Sequence, residues 1–179
     1  MMRKPSTPFQ GILFWVFLCS ILLSAKSFAQ RYNFSTYTIA NGLPSNQVND
    51  ILQDDLGRLW IATMNGICYF DGVYVNQPHK ENDLNSNPVN CIFQDAKTNL
   101  WFGTIRKGLY KLEGTKLINY SIKDGLLSDI INAISQDKDG NIWIGTQDGL
   151  CKFDGEKFTS YTSIQGLVHN NIVSLYYDS

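Results

Sequence analysis

The sequence predicts an all-β chain built from repeated four-stranded antiparallel sheets, and three observations carry that expectation. Trp60, Trp101 and Trp143 stand 41 and 42 residues apart in similar surroundings, so the chain repeats with the period of one small supersecondary unit. Each unit holds four short β-type runs. They are separated by pairs such as Asp71-Gly72, Glu113-Gly114 and Asp154-Gly155, whose glycine tolerates the positive φ of a tight hairpin. No segment sustains a helical period, which a helical solenoid would require, and a parallel β-helix would have shorter coils. Four strands in roughly 40 to 50 residues is the pattern of a β-propeller blade.

The elements follow in order. Arg3 and Lys4 precede an almost uninterrupted apolar run from Ile12 to Leu23, shorter than the roughly 20 residues that span a hydrocarbon core. Ser27-Phe28-Ala29 then places small residues where a signal peptidase reads them. Residues 1–29 are expected to be a signal peptide removed before Gln30, taking Cys19 with them; an uncleaved anchor is the alternative. Phe34 to Thr38 matches Phe158 to Thr162 in composition, which predicts an orphan outer strand over about 34–38.

Blade 1 is expected over about 47–78, blade 2 over about 88–121, and blade 3 over about 130–162. In each, an inner run (Val48 to Gln53, Val89 to Gln94, Ile131 to Gln136) leads to a tryptophan strand, then a Gly-Ile/Leu strand, then an outer strand. The register is tight: the first aliphatic residue precedes tryptophan by 12 positions in every unit, and Gly66, Gly108 and Gly149 precede the next inner run by 23. One indel is needed, where Ile105-Arg106-Lys107 replaces two residues of the other units. Apolar residues on both faces of the inner strands suit a blade covered by a neighbour on each side. Ile172 to Asp178 repeats the inner run, so a fourth blade is expected to start over about 171–179. The expectation is an open arc of three blades plus the first strand of a fourth, with missing C-terminal blades as natural partners. Self-association through open blade edges is expected of the short chain.

These residues resemble the two-component regulator propeller repeat. The likeness lies in Gly42-Leu43-Pro44-Ser45-Asn46-Gln47-Val48, in Trp143-Ile144-Gly145-Thr146 and in Phe153-Asp154-Gly155, and it extends over nearly everything after Gln30. The resemblance implies a periplasmic ligand-sensing segment of a sensor histidine kinase, often a hybrid one. In that family an immunoglobulin-like domain, a membrane helix and the kinase follow, so this chain is expected to be exported, non-catalytic and part of a parent anchored in the inner membrane. The implied partner is a small-molecule ligand, with an oligosaccharide suggested by the family. Two other readings stand beside it: a freestanding secreted binding module, and an enzyme resembling virginiamycin B lyase, which would need a closed ring with a catalytic histidine at its centre.

A net charge of -1 gives no electrostatic reason to expect nucleic acid. Cys68, Cys91 and Cys151 are scattered and odd in number, which points to buried thiols packing as small hydrophobes rather than to disulfides or a metal site. Asp137 to Asn141 resembles half a calcium loop, but it lacks the later ligands and aligns with Asp54 to Arg58, so a hairpin turn is expected. The tryptophans are read as packing between blades. His79 and His169 have no recurring acidic or nucleophilic companion, so no catalytic residue, metal or cofactor is assigned. The informative loops enter the inner strands and share one face with those joining the second and third strands. On them Asn46, Asn87 and Asp129, with Arg106 and Lys107 of the enlarged loop, are candidate ligand-binding residues; turn capping is the structural alternative for the first three, as it is for Asn170.

Overall fold

The computed structural model describes residues 33–78 and 83–178. The expected signal peptide, residues 1–29, and His79 lie outside the described residues. The chain divides into Met1–Thr36 and a compact unit, Tyr37–Ser179, and the following concerns the second unit.

Its strands form three four-stranded antiparallel sheets, each strand bonded to its neighbours in sequence. Blade 1 is β1 (Val48–Gln53), β2 (Leu59–Thr63), β3 (Gly66–Phe70) and β4 (Val75–Asn76). Blade 2 is β5 (Val89–Gln94), β6 (Leu100–Thr104), β7 (Leu109–Glu113) and β8 (Lys116–Tyr120). Blade 3 is β9 (Ile131–Gln136), β10 (Ile142–Thr146), β11 (Leu150–Phe153) and β12 (Phe158–Tyr161). The first strands β1, β5 and β9 lie side by side, so the sheets succeed one another as propeller blades around a common inner edge.

Each blade is closed by the same aspartate. Asp54, Asp95 and Asp137 each accept a 2.8 Å bond from the indole N–H of Trp60, Trp101 and Trp143, six residues on. The other carboxylate oxygen accepts backbone N–H groups two and four residues ahead, which folds the hairpin between first and second strands. The Asp137 loop therefore has the same hairpin geometry as the Asp54 and Asp95 loops. Burial works to raise the Asp54 and Asp137 carboxyls, but the tryptophan bonds, with those from Arg58 or Asn141, outweigh it. Both sit below the ordinary range, Asp137 at about 2.

The core lies between blades. Trp60, Val89, Phe102 and Tyr110 belong to the cluster joining blades 1 and 2, and Trp101, Leu109, Ile131, Ile144 and Phe153 to the one joining blades 2 and 3. The rings of Trp60 and Phe102 meet across the first interface at 5.6 Å, and those of Trp101 and Phe153 across the second at 6.1 Å. Trp60 and Trp101 thus pack between blades, while Trp143 is half-buried and stacks on Tyr161 of its own blade at 5.7 Å.

A second device joins the blades. The pairing register of each inner strand skips its second residue, leaving Asn49, Asn90 and Asn132 as bulges. Each bulged amide donates to the carbonyl that opens the next repeat: Asn49 to Val89 at 2.7 Å, Asn90 to Ile131 at 3.1 Å, Asn132 to Ile172 at 2.9 Å.

Two stretches expected as strands have no ladder among the described residues. Residues 34–38 are exposed apart from Thr38, which caps the turn that follows, and the Tyr37 ring lies against Phe70 at 5.3 Å. Residues 171–178 lie along blade 3, where the Ile172 N–H donates to the Thr146 carbonyl at 3.0 Å, but they pair with no strand.

Candidate functional site

Three connections into inner strands are built alike. Thr38, Ser121 and Thr162 cap 3-10 turns at Ile39–Asn41, Ile122–Asp124 and Ser163–Gln165, each a capping box ending on a left-handed glycine, Gly42, Gly125 or Gly166. Asn46, Asp129 and Asn170 follow. Their side-chain oxygens accept the first N–H of the turn, from Ile39 at 2.9 Å, Ile122 at 3.0 Å and Ser163 at 2.7 Å. The single side-chain oxygen of Asn46 and of Asn170, and Oδ1 of Asp129, are thus occupied in shaping the loops.

These loops lie beside the connections between second and third strands. The N–H groups of Met64, Ile105 and Gln147 donate to the carbonyls of Gln47, Pro88 and Ile130. The two loop sets therefore form one face of the stacked blades, as expected from blade topology. Asn87 is half-buried at the register position of Asn46 and Asp129, just before β5.

The enlarged loop of blade 2 is clamped at every residue but one. Ile105 N–H bonds the Pro88 carbonyl, Lys107 N–H the Thr104 hydroxyl at 2.8 Å, and Gly108 N–H the Asp129 carbonyl at 3.0 Å. The Asn119 amide donates to the Lys107 carbonyl at 2.8 Å. Gly108 has φ 73°, and a side chain there would run into the Tyr120 carbonyl. Arg106 and Lys107 remain exposed and border a groove of about 510 Å³ shared with Asp129, Ser121 and Lys123. Three of the five candidate residues thus meet in one groove; Asn46 and Asn87 do not line it.

A larger open cavity on the same face, about 690 Å³, is lined by Asn90, Asn132, Gln147, Asp148, His169 and Asn171 among others. Apart from His169, for which the sequence offered no companion in a metal or catalytic role, these residues were not singled out from the sequence. The only signal was the recurrent asparagine at the second inner-strand position, and its meaning depends on the bulge. The Asn90 and Asn132 amide groups donate to the next repeat, and both residues line the cavity. His169 accepts from the Asn171 N–H through Nδ1 at 3.0 Å, which fixes the ring and leaves Nε2 as its outer atom.

The cysteines carry none of this chemistry. Burial pushes the Cys68 thiol up to about 11, and burial, with the nearby Asp50 charge adding to it, pushes Cys91 up to about 12, so thiolate nucleophiles are suppressed. Among the described residues no group of three or more histidine, cysteine or acidic side chains is placed to hold a metal ion, and no helix is long and apolar enough to cross a membrane.

The family model described as two component regulator propeller matches residues 42–65, 83–106 and 125–148, one match per blade. Histidine kinase P4 of Formosa agariphila is 35% identical over 77 residues, which cover 40% of this chain and 6% of that protein. In structure, the chain is similar to the extracellular domain assigned to hybrid two component system BT3049 of B. thetaiotaomicron. The TM-score is 0.69 at 26% identity, over 80% of this chain and 20% of that one. It is also similar to virginiamycin B lyase from Staphylococcus aureus, with a TM-score of 0.52 at 18% identity over 68% of this chain and 42% of the lyase, a likeness of fold alone. The chain therefore spans a small fraction of the sensor proteins that it matches.

Proposed function

This chain being a run of two component regulator propeller repeats, we propose that it is a ligand-sensing segment of an exported sensor protein, working in the periplasm without catalysis of its own. In that reading a small hydroxyl-rich molecule, an oligosaccharide in the first instance, settles on the face formed by the strand-entry and second-to-third-strand loops. Its occupancy changes how the blades meet their neighbours, and a histidine kinase region of a longer polypeptide carries the signal onward.

The observation that carries the reading is the cavity between Asn90, Asn132, Gln147, Asp148 and His169. Side-chain amides, a carboxylate and an imidazole can together accept from and donate to several hydroxyls at once, with Asn90 and Asn132 held by inter-blade bonds and the imidazole by the Asn171 N–H. The same residues are poorly suited to hydrolysis or elimination, because His169 spends Nδ1 on a backbone amide and no carboxylate orients it.

The test is a binding titration of the exported chain against neutral and acidic oligosaccharides, read by NMR and by thermal shift. Asp148→Ala with His169→Ala should weaken saturable binding about tenfold or more while the unliganded melt is unchanged, because both side chains are exposed. Binding that survives the double change, or no binding by any member of the panel, would overturn the reading.

A further inference from the structure

We infer that the groove beside the enlarged loop of blade 2 selects a ligand bearing a fixed negative charge, a carboxylate or a sulfate ester, at its edge. The inference rests on the sensing face proposed above and names the chemistry that this part of it prefers.

The only length difference among the repeats inserts a residue into the loop Ile105-Arg106-Lys107, and two of those three residues are cations. At the corresponding place blade 1 has Met64 and Asn65, and blade 3 has Gln147 and Asp148, so the positive charge is particular to blade 2. Lys123, on the 3-10 turn across the groove, adds a third cation. Asp129 is the one carboxylate lining it, and its Oδ1 is occupied by the Ile122 N–H. The groove therefore carries an excess of positive charge on a chain whose overall net charge is only -1.

Exposed cations are ordinarily solvated and contribute little. Here the backbone that carries them is fixed: Lys107 N–H, the Lys107 carbonyl and Gly108 N–H are all bonded to Thr104, Asn119 and Asp129. Neither the Arg106 guanidinium nor the Lys123 ammonium has a hydrogen bond or ion pair with a described residue. A planar guanidinium matches the paired oxygens of a carboxylate or sulfate, and because Arg106 and Lys123 line one groove on a clamped loop and a capped turn, only their side chains remain to be ordered when such a group arrives. Ser121 and Asn119 line the same groove, so hydroxyls flanking the charge also find partners.

The experiment compares trigalacturonate, its fully methyl-esterified twin and 3′-sulfated lactose, titrated into the exported chain at low and at high salt. The expected result is that the carboxylated or the sulfated probe binds about tenfold or more tighter than the neutral ester, with the contrast shrinking at high salt. Which charged probe binds tells carboxylate from sulfate recognition. Arg106→Ala with Lys123→Ala should abolish the contrast and leave the thermal melt alone. If the ester binds as tightly as the acid, or the double change spares the contrast, the charge selection is overturned while the sensing face stands. If neither charged probe binds at millimolar concentration, the groove is not an anion site. Loss of binding through Asp148→Ala with His169→Ala alone would assign recognition to the central cavity.

Discussion

Asp95 shows how one side chain organises a blade. Its carboxylate is buried and accepts the Trp101 indole, the Asn99 amide and two backbone N–H groups. Asp95→Ala leaves those donors without partners, so denaturant unfolding should show a loss of about 2–3 kcal/mol. The same loop in blade 2 contains a residue at odds with its backbone. Thr98 has φ 66°, where Gly57 and Gly140 stand in the other blades at φ 78° and 87°. A β-branched residue is strained in that region, and Thr98→Gly should stabilise the chain by about 1 kcal/mol, against the usual cost of glycine. Titration supplies another expectation. Asp54 and Asp137 have carboxyls lowered in the folded state, Asp137 to about 2, so their contribution is complete above the unfolded value of about 4 and vanishes as pH falls through the folded one. Thermal melts should be flat from neutrality to about pH 5 and drop between about pH 4 and 2, and Asp137→Asn should make that acid limb shallower.

Between elements, the blades fit by trading a methyl group across the interface. In blade 1 the third residue of the tryptophan strand motif is Ala62, in the same cluster as Val89 of blade 2. One blade on, Gly103 faces Ile131, and a Cβ at Gly103 would come within 2.7 Å of the Ile131 methyl. Gly145 and Ile172 repeat the second arrangement. Alanine with valine and glycine with isoleucine hold the same number of side-chain carbons, so close packing is kept. Gly103→Ala should therefore cost about 1–3 kcal/mol by overpacking. Adding Cys91→Ala, which removes the sulfur that lies 2.5 Å from that added Cβ, should return part of that loss in a double-mutant cycle; strictly additive effects would show that the two sites do not couple.

At the scale of the whole molecule, Val89 and Ile131 are fully buried at the start of β5 and β9, whereas Val48, at the same place in β1, is 39% exposed and Ile51 53%. The described residues leave this apolar face without the blade that covers its equivalents. For the isolated chain we propose that a second copy covers this face, because the face that a blade presents is the one that another blade already accepts in the β1–β5 and β5–β9 contacts. Light scattering of residues 30–179 should show concentration-dependent association, reduced by Ile51→Lys; a monodisperse monomer at all concentrations would refute it. Period, strand type and blade class were all legible in the sequence, since they depend on local pattern: tryptophan spacing, β-rich runs and glycine at tight turns recur at fixed offsets. The sharing of one face by the two loop sets was legible too, because alternating strands dictate which ends meet. The roles of particular polar residues were not. Asn90 and Asn132 lie at a bulge that reverses the simple in-and-out alternation, and their partners lie in the next repeat, about 40 residues away. For Asn46 and Asp129 the sequence left both ligand binding and turn capping open, and the folded turn shows the capping bond, to the Asn46 side-chain oxygen and to Asp129 Oδ1. The convergence of Arg106, Lys107 and Lys123, and of Asp148 with His169, was likewise decided only by tertiary structure. Local sequence sets which strands form, but only stacking one blade on the next brings side chains from separate repeats within reach of the same ligand.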